Sequence, residues 1–169
     1  KAASDVILFH KQVQEATGDI QKSVLLINQS FFARDDRYRY ENNEQFDKFV
    51  TKEFEKGRVY GCQLVLTNPT STRRTVDVLQ QIPAGAIPVL SGMQTKSRHA
   101  LLEPYSTQSQ EYYFYFPTEG EFPHYPVHVA QHEQVVAAAE PFVFKVVAEV
   151  DEIDKDSWEH VSQFGTDQQ

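Results

Sequence analysis

Tyr60-Gly61-Cys62-Gln63-Leu64-Val65-Leu66-Thr67-Asn68-Pro69-Thr70 is the stretch that decides the fold. Tyr60, Cys62, Leu64 and Leu66 recur at every second position. A helix would scatter these four side chains around its circumference, whereas a strand places them on one face. Asn68-Pro69-Thr70-Ser71 then stops the run, because proline has no amide hydrogen for a ladder and asparagine and serine favour turns. Cys62, the only cysteine, sits in the middle of this alternating face and reads as a small buried hydrophobe.

Towards the C-terminus the period of two continues. Thr75 to Ile82 sets Val76, Val78 and Ile82 on one face before Pro83-Ala84-Gly85-Ala86 interrupts it. Leu101-Leu102-Glu103-Pro104-Tyr105-Ser106 reads as a corner. The run Tyr112-Tyr113-Phe114-Tyr115-Phe116 follows, with Tyr112, Phe114 and Phe116 on one face and Tyr113 and Tyr115 on the other. Beyond the turn Thr118-Glu119-Gly120-Glu121, Tyr125, Val127 and Val129 alternate with His124, His128 and His132. Phe142, Phe144, Val146, Ala148 and Val150 form a last strand. Short, turn-separated runs of this kind suit two packed antiparallel sheets.

Towards the N-terminus the signal weakens. Val24 to Phe32 is strand, with apolar residues on both faces, and a charged connection bearing tyrosines and asparagines runs from Ala33 to Lys48. Ser4 caps a helix over Val6, Phe9, Val13 and Ala16 up to Gly18, yet Ile7, Phe9 and Val13 fit a strand equally well. At the far end Ser157 caps a short helix carrying Trp158, Val161 and Phe164, with Gly165 as its stop. The expected organisation is an N-terminal extension over residues 1–56 packing on the body, a β-sandwich over 57–150, and an acidic linker with a short helix over 151–169.

At 169 residues the chain is long enough to bury a core without disulfides or a structural metal. Its net charge of −8 disfavours phosphate backbones, and no apolar run approaches the ~20 residues of a membrane-spanning helix. Nucleic acid and membrane insertion are therefore poor expectations. The acidity is local: Glu149 to Gln169 holds seven acids and one base, which leaves the remainder nearly neutral. The chain starts at Lys1 and stops soon after Gly165, and is expected to be a module of something larger. Asn28-Gln29-Ser30 is a formal glycosylation sequon, whereas proline disqualifies Asn68-Pro69-Thr70.

The stretch from Gly57 to Val150 resembles the immunoglobulin-like modules of large bacterial surface and secreted proteins, and more loosely macroglobulin-like domains. The resemblance lies in Val65-Leu66-Thr67-Asn68-Pro69-Thr70, Val78-Leu79-Gln80-Gln81-Ile82-Pro83-Ala84-Gly85, Leu102-Glu103-Pro104-Tyr105 and Pro117-Thr118-Glu119-Gly120-Glu121-Phe122. It implies an immunoglobulin-like antiparallel β-sandwich, a non-catalytic role in spacing, adhesion or docking, and an extracellular, cell-surface or periplasmic setting. A second cysteine and a tryptophan inside the sandwich are both missing, so an antibody-type disulfide core is excluded.

His124, His128 and His132 stand four apart. On a strand, residues four apart lie about 13 Å from one another, too far to share a zinc ion, so the row reads as a solvated face with some capacity to sense pH. Asp151-Glu152-Ile153-Asp154-Lys155-Asp156 lacks the glycine and distal glutamate of an EF-hand and reads as a linker. Asp35-Asp36 and Asp47 with Glu53 lie in charged connections. Phosphate loops, nucleophile elbows and metalloprotease motifs do not occur, so neither cofactor nor catalytic residue is expected. Arg34, Arg37 and Arg39 interleave with Tyr38 and Tyr40 in a pattern suited to a protein or sugar contact. Tyr113 and Tyr115 would form a stacking platform for carbohydrate if they faced outward. The expected function is a non-catalytic structural or protein-interaction module contacting neighbouring domains or another protein. A carbohydrate-binding module and an enzyme fragment are the alternatives.

Overall fold

A computed structural model describes residues 24–150, which fold into thirteen strands without a helix. The expected helix at Ser157, the acidic segment after Val150 and the two readings of residues 4–18 all lie outside the described residues. Three sheets and one hairpin make up the body. The first sheet has the order β1 (Leu26–Ala33), β5 (Val59–Asn68), β9 (Ser106–Tyr115), β7 (Ile87–Val89). The second runs β12 (Gln134–Ala138), β11 (His128–Gln131), β6 (Arg74–Gln81), β8 (Thr95–Leu102). The third runs β10 (Gly120–Pro123), β13 (Val143–Val147), β4 (Glu53–Glu55), and β2 (Tyr38–Glu41) pairs β3 (Glu44–Asp47) by itself. All pairings are antiparallel except β13 with β4.

The alternation in β5 organises the interior. Tyr60 and Cys62, near the start of the strand, join an aromatic core with Phe31, Phe54, Phe114, Phe116 and Phe144. Leu64 and Leu66, near its end, join an aliphatic core with Val76, Val78, Ala100, Leu102, Val127 and Val129. One face of the first sheet is thus covered at the Val59 end by the third sheet and at the Asn68 end by the second. The aromatic core is held by edge-to-face contacts, with ring centroids of Phe54 lying 4.8 Å from Tyr60 and 4.8 Å from Phe144. Between the two cores, the Gln29 side chain donates to the Tyr112 hydroxyl at 2.5 Å and accepts from the Val127 amide at 3.2 Å. Cys62 is fully buried beside this cluster, and burial pushes its thiol up to about 12.

Residues ahead of Gly57 belong to these same sheets. β1 pairs with β5 at eight positions, from Leu26↔Thr67 to Ala33↔Tyr60, and Phe54 of β4 lies in the aromatic core. Two strands fall where the sequence carries no alternation. β8 has apolar inward residues only at Ala100 and Leu102, and the first half of β9 turns Gln108 and Gln110 inward. These glutamines donate to the Leu101 carbonyl at 2.6 Å and the Gln80 side chain at 2.7 Å, so polar side chains help close that flank.

Candidate interaction surfaces

The other face of the first sheet is aromatic at its Val59 end. Registers Phe32↔Gly61↔Tyr113 and Val59↔Tyr115↔Ile87 place these residues in two adjacent rows. Phe32 is buried although it points away from the main core. Its ring rests over Gly61, meets Tyr113 edge-on at 6.1 Å, and is capped by the Arg37 guanidinium 4.2 Å from its centroid. Arg37 also pairs with Glu111 at 2.6 Å and Asp47 at 3.4 Å, and the Tyr113 hydroxyl donates to Glu111 at 2.7 Å. The Arg37 contact holds the Glu111 carboxyl below its ordinary range, while the bond to Glu111 raises the Tyr113 hydroxyl. Arg37 therefore pins the β2–β3 hairpin to the sheet.

Beyond that pin the hairpin stands in solvent. Asn42 and Asn43 both adopt positive φ in its two-residue turn, a conformation asparagine tolerates better than most residues. Tyr38 and Tyr40 lie on one face; Arg39 and Phe46, opposite each other in register, lie on the other. Tyr40 is 70% exposed, and Tyr38 and Phe46 are also exposed. The Arg39 guanidinium lies 5.8 Å from the Phe46 ring centroid. Exposed tyrosine, phenylalanine and arginine are residue types enriched at the centres of protein interfaces. Tyr38, Tyr40 and the arginines stand out in the sequence, whereas Phe46 does not. The Asn42-Asn43 pair between two short alternating runs is the signal that reveals it.

Tyr113 and Tyr115 are half-buried. Tyr113 is engaged by Phe32 and Glu111, so its ring is not free as a stacking platform. The three histidines do not form a row. Only β11 is strand; Pro123 and Pro126 flank a connection that turns His124 inward. There it packs against Phe142 at 4.6 Å and Phe31 and Phe144 at 5.6 Å, with neither ring nitrogen hydrogen-bonded. Burial pushes its pKa down to about 4, opposed by the backbone of Glu140. His128 is half-exposed on β11, and His132 is exposed at the β11–β12 turn. The expected solvated histidine face is thus corrected: Val127 and Val129 do share the buried side, but His124 joins the interior.

Among the described residues, no group of three or more His, Cys, Asp or Glu stands close enough to hold a metal ion, and no helix is long and apolar enough to cross a membrane. The carboxylates singled out in the sequence each have a basic partner: Asp35 with Arg58, Asp36 with Lys48, Asp47 with Arg37 and Glu53 with Lys145. A groove of about 380 Å³ runs beside β1, lined by Gln29, Ser30, Phe31, Phe49, Val50, Thr51, Phe142 and Val143. A wider polar cleft lies at the other end, between Asp35, Arg58, Gly57 and Val150.

No protein-family model matches the chain. Actin-binding protein F of Dictyostelium discoideum is 35% identical over 168 residues, which is 98% of this chain and 7% of that protein. The chain thus spans only a small fraction of this curated relative. Among solved structures, an immunoglobulin-like protein from Pseudomonas aeruginosa matches at 15% identity, covering 75% of this chain and 98% of that one, with a TM-score of 0.32. At that score the likeness assigns nothing to this chain.

Proposed function

We propose that the chain is a non-catalytic, immunoglobulin-like module of a longer protein, placed in series with its neighbours and making protein contacts through the β2–β3 hairpin. The observation that carries this reading is the placement of the two ends of the described body. Val24 leads into β1 at the Leu26↔Thr67 end of the first sheet, while Val150 borders the cleft by Gly57 and Arg58 at the opposite end. β5 joins those ends with ten residues, or about 30 Å at strand rise. Val24 and Val150, the first and last described residues, thus lie at opposite ends of the first sheet, a placement that supports a spacer.

The match to a stretch of a far longer relative supports a modular origin. That relative's name records actin binding, so filamentous actin is the natural first partner to test. The bacterial setting implied by the sequence resemblance gains no support from a Dictyostelium relative.

The test is a photoreactive phenylalanine analogue at Tyr40 or Phe46, in this chain mixed with filamentous actin and in the intact parent protein. The expected result is a crosslinked polypeptide from the hairpin positions and none from Thr107, on the opposite half of the sheet. Absence of any hairpin adduct, or a turnover abolished by one side-chain change, overturns the reading.

A further inference from the structure

Sheet edges expose unpaired amides and carbonyls, and proteins blunt them with charge, proline or bulges. The described edges here follow that rule with one exception. β7 carries Pro88 at its centre, β8 carries Lys96 and Arg98, β10 carries Glu121 and Pro123, and β4 carries Glu53 and Glu55. β12 is bulged, since the register with β11 shifts between Val129 and Ala130 and leaves Val136 unmatched. β1 has none of these devices: Val24 to Ala33 contains neither a charge nor a proline.

The direction of its free groups follows from one contact. The Val50 amide donates to the Phe31 carbonyl at 2.7 Å, so the backbone groups of Phe31 point away from β5. Backbone direction alternates along a strand, so those of Gln29 and Ile27 point the same way. No backbone partner for either is found among the described residues. Val50 is thus a first rung laid on β1 by the chain's own passing segment, and among the described residues the next positions along the same line carry no second rung.

Gln29 lines the 380 Å³ groove, whose walls are Phe49 and Val50 on one side and Phe142 and Val143 on the other. Phe49 is 41% exposed and Val143 59% exposed. From this arrangement we infer that β1 is a strand-addition site for an extended, centrally uncharged peptide of a partner protein. The peptide pairs with Gln29 and Ile27 and sets one apolar side chain between Phe49 and Val143. The walls favour this occupant: a recessed edge admits a single extended chain and holds off the flat edge of a second folded copy. The inference rests on the interaction-module reading and adds to it a second surface and its partner chemistry.

The test uses the full 169-residue chain. In the free protein, the amides of Ile27 and Gln29 are expected to exchange hydrogen fast; slow exchange there means that residues 1–23 or a second copy already fill the edge, and overturns the inference. Random peptides of about twelve residues displayed on phage are then selected against the protein. Enriched peptides are expected to alternate apolar residues without central charge and to shift NMR signals of Ile27, Gln29, Phe49 and Val143. Val143→Lys, at an exposed position, is expected to weaken them about tenfold, while Leu101→Lys on β8 leaves binding unchanged. Peptides that map to the hairpin, or bind Val143→Lys as tightly, overturn the inference and leave the module reading standing. Selection of no peptide overturns it too, and the hairpin crosslink then decides the module reading by itself.

Discussion

The Phe32 ring occupies the space that a side chain at Gly61 would need. A Cβ built on Gly61 lies 2.3 Å from Phe32 Cζ, well inside van der Waals contact. The two residues are paired across β1 and β5, so glycine at this position is what lets an aromatic ring lie flat on the sheet beneath Arg37. Gly61→Ala is expected to destabilise the fold by about 2 kcal/mol through overpacking. In a Phe32→Leu background the same change should cost less than half as much. Chemical denaturation of the two single variants and the double variant measures this coupling; equal costs in both backgrounds refute it.

Asn68 is fully buried yet satisfied. Its amide donates to the carbonyls of Thr72 and Glu103 at 2.8 and 3.0 Å, and its oxygen accepts from the Thr70 amide and hydroxyl at 3.2 and 2.7 Å. The Asn-Pro-Thr that fails as a glycosylation sequon is therefore a polar plug joining β5 to the end of β8. Asn68→Ala is expected to cost about 2 kcal/mol, because a buried side chain that makes four part-buried hydrogen bonds is lost. Asn68→Asp should cost at least as much, since a carboxylate then faces carbonyl oxygens. Thermal melts of both variants check the order.

His124 makes stability depend on pH in a defined window. Its folded pKa of about 4 lies below the ordinary value of 6.5, so the folded protein binds fewer protons than the unfolded chain between these values. Stability is then full above about pH 6.5 and declines as pH falls towards 4, by up to about 3 kcal/mol less what water reaching the ring returns. Asp35 and Glu111, held low by Arg58 and Arg37, add losses only as pH falls below about 5. His124→Phe should flatten the profile between pH 6.5 and 4 and leave the acid limb. A profile unchanged by that substitution refutes the assignment.

The β11–β12 turn stores strain. His132 and Glu133 both adopt positive φ, at 51° and 64°, in a two-residue turn that favours asparagine followed by glycine. Replacing them by Asn and Gly is expected to raise stability by about 1 kcal/mol. The β2–β3 turn already uses Asn42-Asn43, so only a smaller gain is expected from Asn43→Gly. Denaturation midpoints of the two variants compare the turns.

Cys62 should behave as a core residue. Its thiol is fully buried, and burial holds it protonated across the neutral range. A thiol-reactive dye is expected to label it only as fast as the protein unfolds. Rapid labelling of the native state would place Cys62 at a reactive site instead.

The sequence by itself determined the strands whose inward positions are apolar: β5, β6, the aromatic half of β9, and β13. Alternation is a local property, and it carries the identity of the buried face without knowledge of any partner. It also placed Cys62 in the core and put Tyr113 and Tyr115 on the face opposite Phe114. What it left dark were elements whose inner positions are polar or small. In β8 and the first half of β9, glutamines and Ala100 face inward and are satisfied only by groups on other strands. The burial of Phe32 depends on Gly61, Tyr113 and Arg37, which are far apart in the chain. The inward turn of His124 depends on a cage of Phe31, Phe142 and Phe144, drawn from distant parts of the chain. Those features rest on side chains brought together across the sheets, and that meeting is what only the tertiary structure decided.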